Sequence, residues 1–331
     1  MHIVAAPDKF KGTATAGEVA AAIAEAATGA GHTCTQVPLA DGGDGTLEAL
    51  GGGNRTSVFT GPLGERVEAE WRLDGGVAVI EVARTSGLVM AGGPEGNDPL
   101  AATTSGVGEL MSEAIDRGAR QILVGVGGSA TTDGGLGAIE ALGSAQRIRG
   151  IDVVVACDVR TLFTDAPAVF GPQKGATPAQ VAMLRNRLET LVGTYMQRFG
   201  VDVSKLERTG AAGGLAGGLA AVGARLVDGF EIVAEHVGLA AALETADLVV
   251  TGEGFIDDES FDGKVVGGVA ELAAHHDVAV LAIAGQVFDG ASSRIDAISI
   301  AEVCGIERAL GEPTHCIREV LTERFSSSGI T

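Results

Sequence analysis

Positive charge is scarce in this sequence: 23 lysines and arginines stand against 43 acidic residues, a formal net charge of −20. Such a surface repels phosphate backbones and anionic lipid, which argues against nucleic-acid and membrane partners. Cysteine is scarce too. Cys34, Cys157, Cys304 and Cys316 are far apart and form neither a CxxC pair nor a zinc spacing, so they read as buried thiols of a reducing compartment. No apolar run approaches the ~20 residues of a membrane helix. Met1 to Pro7 enters a strand-like run rather than a basic segment followed by an apolar one, and a cytoplasmic protein is expected. The six histidines, His2, His32, His236, His275, His276 and His315, form no HExxH pair, and no GxSxG elbow or Cys-His signal suggests a covalent nucleophile.

What is present is aliphatic and rich in glycine. The 331 residues are 46% hydrophobic, only 4% aromatic, and include 51 glycines, which excludes disorder and coiled coil. The length suits two domains or one elaborated domain. Apolar runs alternate with Ala-rich helical stretches, the pattern of an α/β fold with a parallel sheet. His2 to Ala6, Cys34 to Leu39, Gln121 to Val126, Val153 to Cys157, Leu248 to Thr251 and Val278 to Ala284 read as strands. Helices are expected from Ala16 to Ala27, capped by Thr15 or Thr13, over Ser105 to Gly118, over Pro178 to Phe199 and over Val265 to Ala274. Between Thr56 and Val82, Gly61-Pro62-Leu63-Gly64 and Asp74-Gly75-Gly76 punctuate alternating segments, so antiparallel hairpins are expected there. The tail after Ser326 is expected to fray.

Several strands end in an acid: Asp8, Asp41, Asp158 and Glu253. Ligands of open parallel sheets bind outside the carboxyl ends of the strands, so these acids stand where a metal or a reacting hydroxyl would sit, although each could instead cap a helix. Gly127 to Gly135 follows a strand and offers backbone N–H groups with the hydroxyls of Ser129, Thr131 and Thr132, chemistry suited to phosphate. Gly210 to Gly218 could do the same or simply allow close helix packing. Gly125 to Ala130 matches the dinucleotide pattern GxGxxA, but the acid expected about 20 residues on, at the end of the next strand, is not there, since Asp158 comes later. Gly263-Lys264 lacks the rest of a Walker A loop. Lys11, Lys174 and Lys264 lie beside turns or acids and are the cations to watch in so acidic a chain. Acids for Mg²⁺, lysines for phosphate oxygens and N–H-rich turns together are the parts of phosphoryl transfer.

Ala6-Pro7-Asp8-Lys9-Phe10-Lys11-Gly12, Ala40 to Thr46, Thr60 to Glu65, Gly127 to Gly135, Ala156 to Val159, Phe170 to Ala176, Gly210 to Gly214 and Thr251-Gly252-Glu253-Gly254 with Gly263-Lys264 resemble, in order and spacing, the bacterial glycerate kinase family. The resemblance covers nearly the whole chain. It implies phosphorylation of a D-glycerate hydroxyl by ATP with Mg²⁺, typically to 2-phosphoglycerate. The implied fold is α/β in two domains: a Rossmann-like parallel-sheet domain of residues 1–57 plus 240–331, and a mixed α/β domain of residues 58–239 inserted into it. The active site would lie in the cleft between them.

Carried residue by residue, the resemblance makes Asp8, Lys11, Asp41, Asp133 and Lys264 catalytic, with Asp8 or Asp133 orienting the acceptor hydroxyl. Mg²⁺ would fall to Asp41, Asp158 and Glu253. The nucleotide would be held by Gly127, Gly128, Ser129, Thr131, Gly134, Lys174, Gly213 and Gly214. Asn97 and Phe255 stand where relatives carry arginine, and Asp44, Thr132 and Glu259 also depart from the family pattern. The chain is short between Leu142 and Asp152 and between Arg160 and Ala168. A kinase for another small hydroxy or sugar acid, a non-catalytic nucleotide- or acid-binding relative, and a dehydrogenase therefore stay open, and a homodimer is admitted.

Overall fold

The computed structural model describes residues 1–288, 290 and 293–327; the rest of the tail expected to fray lies outside the described residues. The strands are β1 (His2–Ala5), β2 (Thr33–Gln36), β3 (Arg55–Thr60), β4 (Arg66–Asp74), β5 (Val77–Glu81), β6 (Gln121–Gly125), β7 (Asp152–Cys157), β8 (Arg225–Asp228), β9 (Leu248–Ile256), β10 (Ala279–Val287) and β11 (Ala297–Ser299). The chain divides into two compact units. One comprises Met1–Asp41, Glu48–Leu50 and the chain from Phe230 onward; the other comprises Gly42–Leu47 and Gly51–Gly229.

The first unit carries a sheet of order β11-β10-β9-β1-β2, parallel throughout. Ile3, Val4 and Ala5 of β1 are completely buried, as a strand covered on both faces requires. The helix Ala16–Gly29 begins at a capping box in which Thr15 and Glu18 exchange side-chain and backbone bonds. Its Val19, Ala20, Ile23 and Ala27 pack with Ile317 and Leu321 of the helix Pro313–Ser327. β2 stops at Gln36 rather than Leu39 because Pro7, opposite, has no N–H to return to it, although Val37 N and Leu39 N still donate to Ala5 O and Pro7 O at 2.8 and 2.9 Å. β9 extends past Thr251 to Ile256, since β10 keeps pairing with it as far as Val287.

The second unit carries a sheet of order β3-β4-β5-β6-β7-β8. β3, β4 and β5 are antiparallel neighbours, in the stretch where hairpins are expected, and β5 to β8 are parallel. Its core joins Trp71, Ile80, Val124 and Val155 of the sheet to Leu110 and Met111 of the helix Ser105–Asp116. The helix Pro178–Phe199 opens on a Thr177–Gln180 capping box with Pro178 in its first turn and ends at Gly200, φ 75°.

The units divide elsewhere than at residues 57 and 239. All of β3 pairs with β4, so the second unit already holds the chain from Gly51, and it ends at Gly229. Gly42–Leu47 joins it because Gly42 lies against Gly229 and Ala156: a Cβ there would stand 2.8 Å from Gly229 Cα and 2.9 Å from Ala156 Cβ. Among the described residues no helix is long and apolar enough to cross a membrane.

Candidate active site

In the first unit β2, β1 and β9 lie side by side: Asp8 follows β1, Asp41 lies in the loop after β2, Glu253 stands within β9, and both of the latter act on Asp8 electrostatically. Pairing continues past the strand ends: Asp8 N donates to Gly252 O at 2.8 Å. Asp8 is 6% exposed, and its Oδ1 accepts from Lys9 N at 2.7 Å with Lys9 Nζ at 3.6 Å. Burial pushes the Asp8 carboxyl up to about 7; Lys9 opposes the shift, while Asp41 and Glu253 add repulsion. Burial also raises Glu253, against Ser260 and Lys264 and with help from Asp41 and Asp257. Its Oε1 is buried without a hydrogen-bond partner among the described residues, as is Thr251 Oγ1.

The cations of this group are unequal. Lys264 stands at the cap of the helix Val265–His275 with Nζ 3.8 Å from Glu259 Oε2, close enough to Glu253 to lower its pKa. Lys11 has an exposed side chain, and its backbone N fixes the space over Gly254, where a Cβ would be 3.4 Å away. Lys9 is the cation on Asp8. The sequence reading passed over it, although its adjacency to Asp8 was the available signal.

Asp158 belongs to the second unit. It is exposed at the end of β7, near the Arg208–Asp228 ion pair of 3.2 Å. Burial drives the neighbouring Cys157 thiol up to about 12, with Arg208 opposing and Asp158 and Asp228 adding to it. Among the described residues no three acidic, histidine or cysteine side chains are grouped to hold a metal ion. Of the expected set, Asp41 and Glu253 stand in the first unit, where Asp41 helps to raise Glu253, and Asp158 stands in the second.

The Gly127–Gly135 loop of the second unit is tied down from several sides. Gly128 O accepts from Leu88 N, and Ala130 N donates to Ser86 O, both at 2.8 Å. Gly134 N donates to Gly213 O at 3.1 Å, and Gly135 N to Asp133 Oδ1 at 2.9 Å. These N–H groups therefore serve the fold.

Asp133, expected to orient a hydroxyl, instead caps backbone: Oδ2 accepts from Thr104 N, Thr104 Oγ1 and Gly137 N. Gly213 and Gly214, expected to hold nucleotide, are packing glycines at φ 65° and 91°. A Cβ on Gly213 would overlap the Thr131 carbonyl, and one on Gly214 would stand 2.9 Å from Gly134 Cα. Lys174 is buried, its Nζ bonded to Ser129 Oγ and Thr131 O. Asn97, marked in the sequence only as a departure, bonds Ala130 O at 3.0 Å and Lys174 O at 2.9 Å through Nδ2. Thr104 was also missed; its one sequence signal is a hydroxyl just before an expected helix.

Residues 3–147 and 143–323 match the model of the glycerate kinase family. A glycerate 2-kinase of Escherichia coli (strain K12) is 40% identical over 87% of this chain and 86% of that protein. A glycerate kinase of Bacillus subtilis (strain 168) is 38% identical over 87% and 85%. A crystal structure assigned as a glycerate kinase 2 from Salmonella typhimurium LT2 superposes with a TM-score of 0.84 at 36% identity, covering 99% of this chain and 98% of that one. The fold and these relatives define a kinase. The chain belongs to the glycerate kinase family.

Proposed function

We propose that this kinase transfers the γ-phosphoryl group of ATP to a hydroxyl of D-glycerate, with 2-phosphoglycerate as the favoured product. The observation that carries the reading is the buried Asp8 carboxyl just after β1, repelled by Asp41 from the loop after β2 and by Glu253 of β9. A carboxyl held near neutrality suits proton transfer at physiological pH. The acceptor oxygen forms a bond to the γ-phosphorus, the bond from that phosphorus to the β–γ bridging oxygen breaks, ADP leaves, and the hydroxyl proton passes to Asp8. Lys11 and Lys264 offer positive charge to the phosphate oxygens, which matters in a reaction governed by positioning and electrostatics.

Mg²⁺ suits the residues present. Asp41 and Glu253 are hard oxygen donors, Glu253 Oε1 is a buried atom with no hydrogen-bond partner among the described residues, and this ion usually takes one or two carboxylates with waters and phosphates. Asp41 and Glu253 would hold it. When bound it neutralises charge on the phosphate oxygens. Asp8 and Lys9 keep their own hydrogen bond, so the base is oriented by the protein itself.

ADP release with ATP and Mg²⁺ on D-glycerate, beside L-glycerate, glycolate and four-carbon sugar acids, tests the reading, and ³¹P NMR identifies the phosphorylated hydroxyl. Turnover specific to D-glycerate supports it. Turnover on another acid alone moves the acceptor assignment to that acid, a reading favoured by the half-exposed Phe255 at the carboxyl end of β9. No turnover on any acid would make the chain a non-catalytic relative.

A further inference from the structure

Cys304 ends the helix Ile300–Cys304 and Cys316 lies in the helix Pro313–Ser327; the two helices pack together in the first unit. Gly305, at φ 85°, turns the chain directly after Cys304 into the helix Ile306–Gly311, which packs against both. Both cysteines belong to the hydrophobic cluster that includes Ile300, Ile317 and Val320. Cys316 is 0% exposed there, whereas Cys304, expected to be a buried thiol, is partly exposed. Twelve positions separate them in sequence, so no motif announces the pair.

The two thiols act on each other. Burial pushes Cys316 up to about 11, hydrogen bonding and charge at Cys304 add to the rise, Arg308 opposes it and Glu319 adds again. A hydrogen bond that makes a thiol harder to ionise is one its own S–H donates, so Cys316 keeps its proton and Cys304 Sγ accepts. Arg308 acts on both sulfurs while its guanidinium holds Glu319 Oε2 at 2.8 Å. The partly exposed sulfur is therefore the one placed to attack, with a cation near it and a protonated thiol behind it. A reactive thiol and its resolving partner are arranged in this way.

We propose that Cys304 and Cys316 form a reversible oxidation site that closes to an intramolecular disulfide when it meets hydrogen peroxide. Cys304 Sγ forms a bond to one peroxide oxygen, the O–O bond breaks, and the other oxygen leaves as water with the Cys304 proton. Cys316 Sγ then bonds to Cys304 Sγ, the S–O bond breaks, and the departing hydroxide takes the Cys316 proton as a second water. Two thiols are oxidised and one peroxide is reduced to two waters. An external dithiol reopens the bridge by thiol–disulfide exchange.

The test uses the full chain, reduced first and freed of reductant. Hydrogen peroxide in slight excess is expected to remove two of the four free thiols, titrated after denaturation. The intact mass is expected to fall by about 2 Da, the two hydrogens lost. Trypsin cuts after Arg308, between the two cysteines, so the bridge joins residues 295–308 to residues 309–318 in one species that dithiothreitol separates. Cys304→Ser and Cys316→Ser are each expected to abolish that species, and a variant carrying both Cys34→Ser and Cys157→Ser is expected to keep it.

Survival of all four thiols overturns the proposal, as does sulfinic or sulfonic acid on Cys304 with Cys316 still free, or a bridge made through Cys34 or between two chains. If Cys316→Ser fails to fold, Cys304→Ser at the partly exposed helix end decides: a linked species that persists in it refutes the site. These readouts need no phosphoryl transfer, so they stand whichever acid the enzyme phosphorylates.

Discussion

Asp133 and Thr104 are joined twice: Asp133 Oδ2 accepts from the Thr104 backbone N–H at 2.9 Å and from its hydroxyl at 2.8 Å. The same oxygen takes Gly137 N at 3.2 Å, and Thr104 Oγ1 accepts in turn from Ala138 N at 3.0 Å. One carboxylate thereby fastens the start of the helix Leu136–Leu142 to the start of the helix Ser105–Asp116.

Asp133→Asn turns an acceptor oxygen into a donor facing N–H groups. The expected result is a loss of about 2–4 kcal/mol of stability, the sum of charged hydrogen bonds weakened and donors left buried. Urea unfolding checks it. A variant as stable as the parent would show that the capping bonds carry little.

Gly213→Ala is expected to cost about 3 kcal/mol or more, because the new Cβ overlaps the Thr131 carbonyl at a backbone φ of 65°. Gly12→Ala, at φ 79° with nothing within 4 Å of its Cβ, should cost about 1 kcal/mol. Equal melting temperatures for the two variants would contradict the packing role assigned to Gly213.

Burial lowers Lys174 from the ordinary lysine value of 10.5 to about 7, with Asp133 pulling the other way. Between those values the unfolded chain binds the proton and the folded chain releases it, so stability rises with pH across about 7 to 10.5. The contribution is at most about 1.4 kcal/mol per pH unit. Lys174→Met should lack this rise, which urea titrations at pH 6, 8 and 9.5 would read as parallel rather than diverging stabilities if the expectation fails.

Asp8→Asn should lower kcat about 10²-fold or more while leaving the fold intact. The parent Asp8 keeps its proton when folded up to about pH 7, whereas the unfolded chain loses it near the ordinary 3.8. Folded protein therefore binds more protons in that window, and stability falls as pH rises through it. The variant has no such penalty. Measured with EDTA present, its stability relative to the parent should improve from pH 4 to pH 7; an unchanged difference would count against the buried acid.

Local signals were legible wherever neighbours in sequence made the structure. Thr177, Pro178 and Gly200 bracket the long helix at both ends. Asp8, Asp41 and Glu253 were also readable as acids closing apolar runs, and the three runs become the neighbouring strands β1, β2 and β9. Long-range choices were not. A glycine-flanked lysine reads equally well facing solvent or the interior, and Lys174 turns inward only because Ser129 and the Thr131 carbonyl await it from 45 and 43 residues away. Likewise, Gly213 and Gly214 match phosphate-binding chemistry until the first glycine loop is found lying against them.

The central pairing of the first unit, Ile3 with Leu248 and Val4 with Val249, joins the first strand to one that follows the whole of the second unit. On a ribosome adding ~5–20 residues per second, β1 and β2 wait tens of seconds before β9 exists to flank them. The intervening residues Gly51–Gly229 already contain every strand of their own sheet. Synthesis therefore delivers one finished sheet while the amino-terminal strands still hold an open edge, and guarding that edge falls to whatever meets the nascent chain.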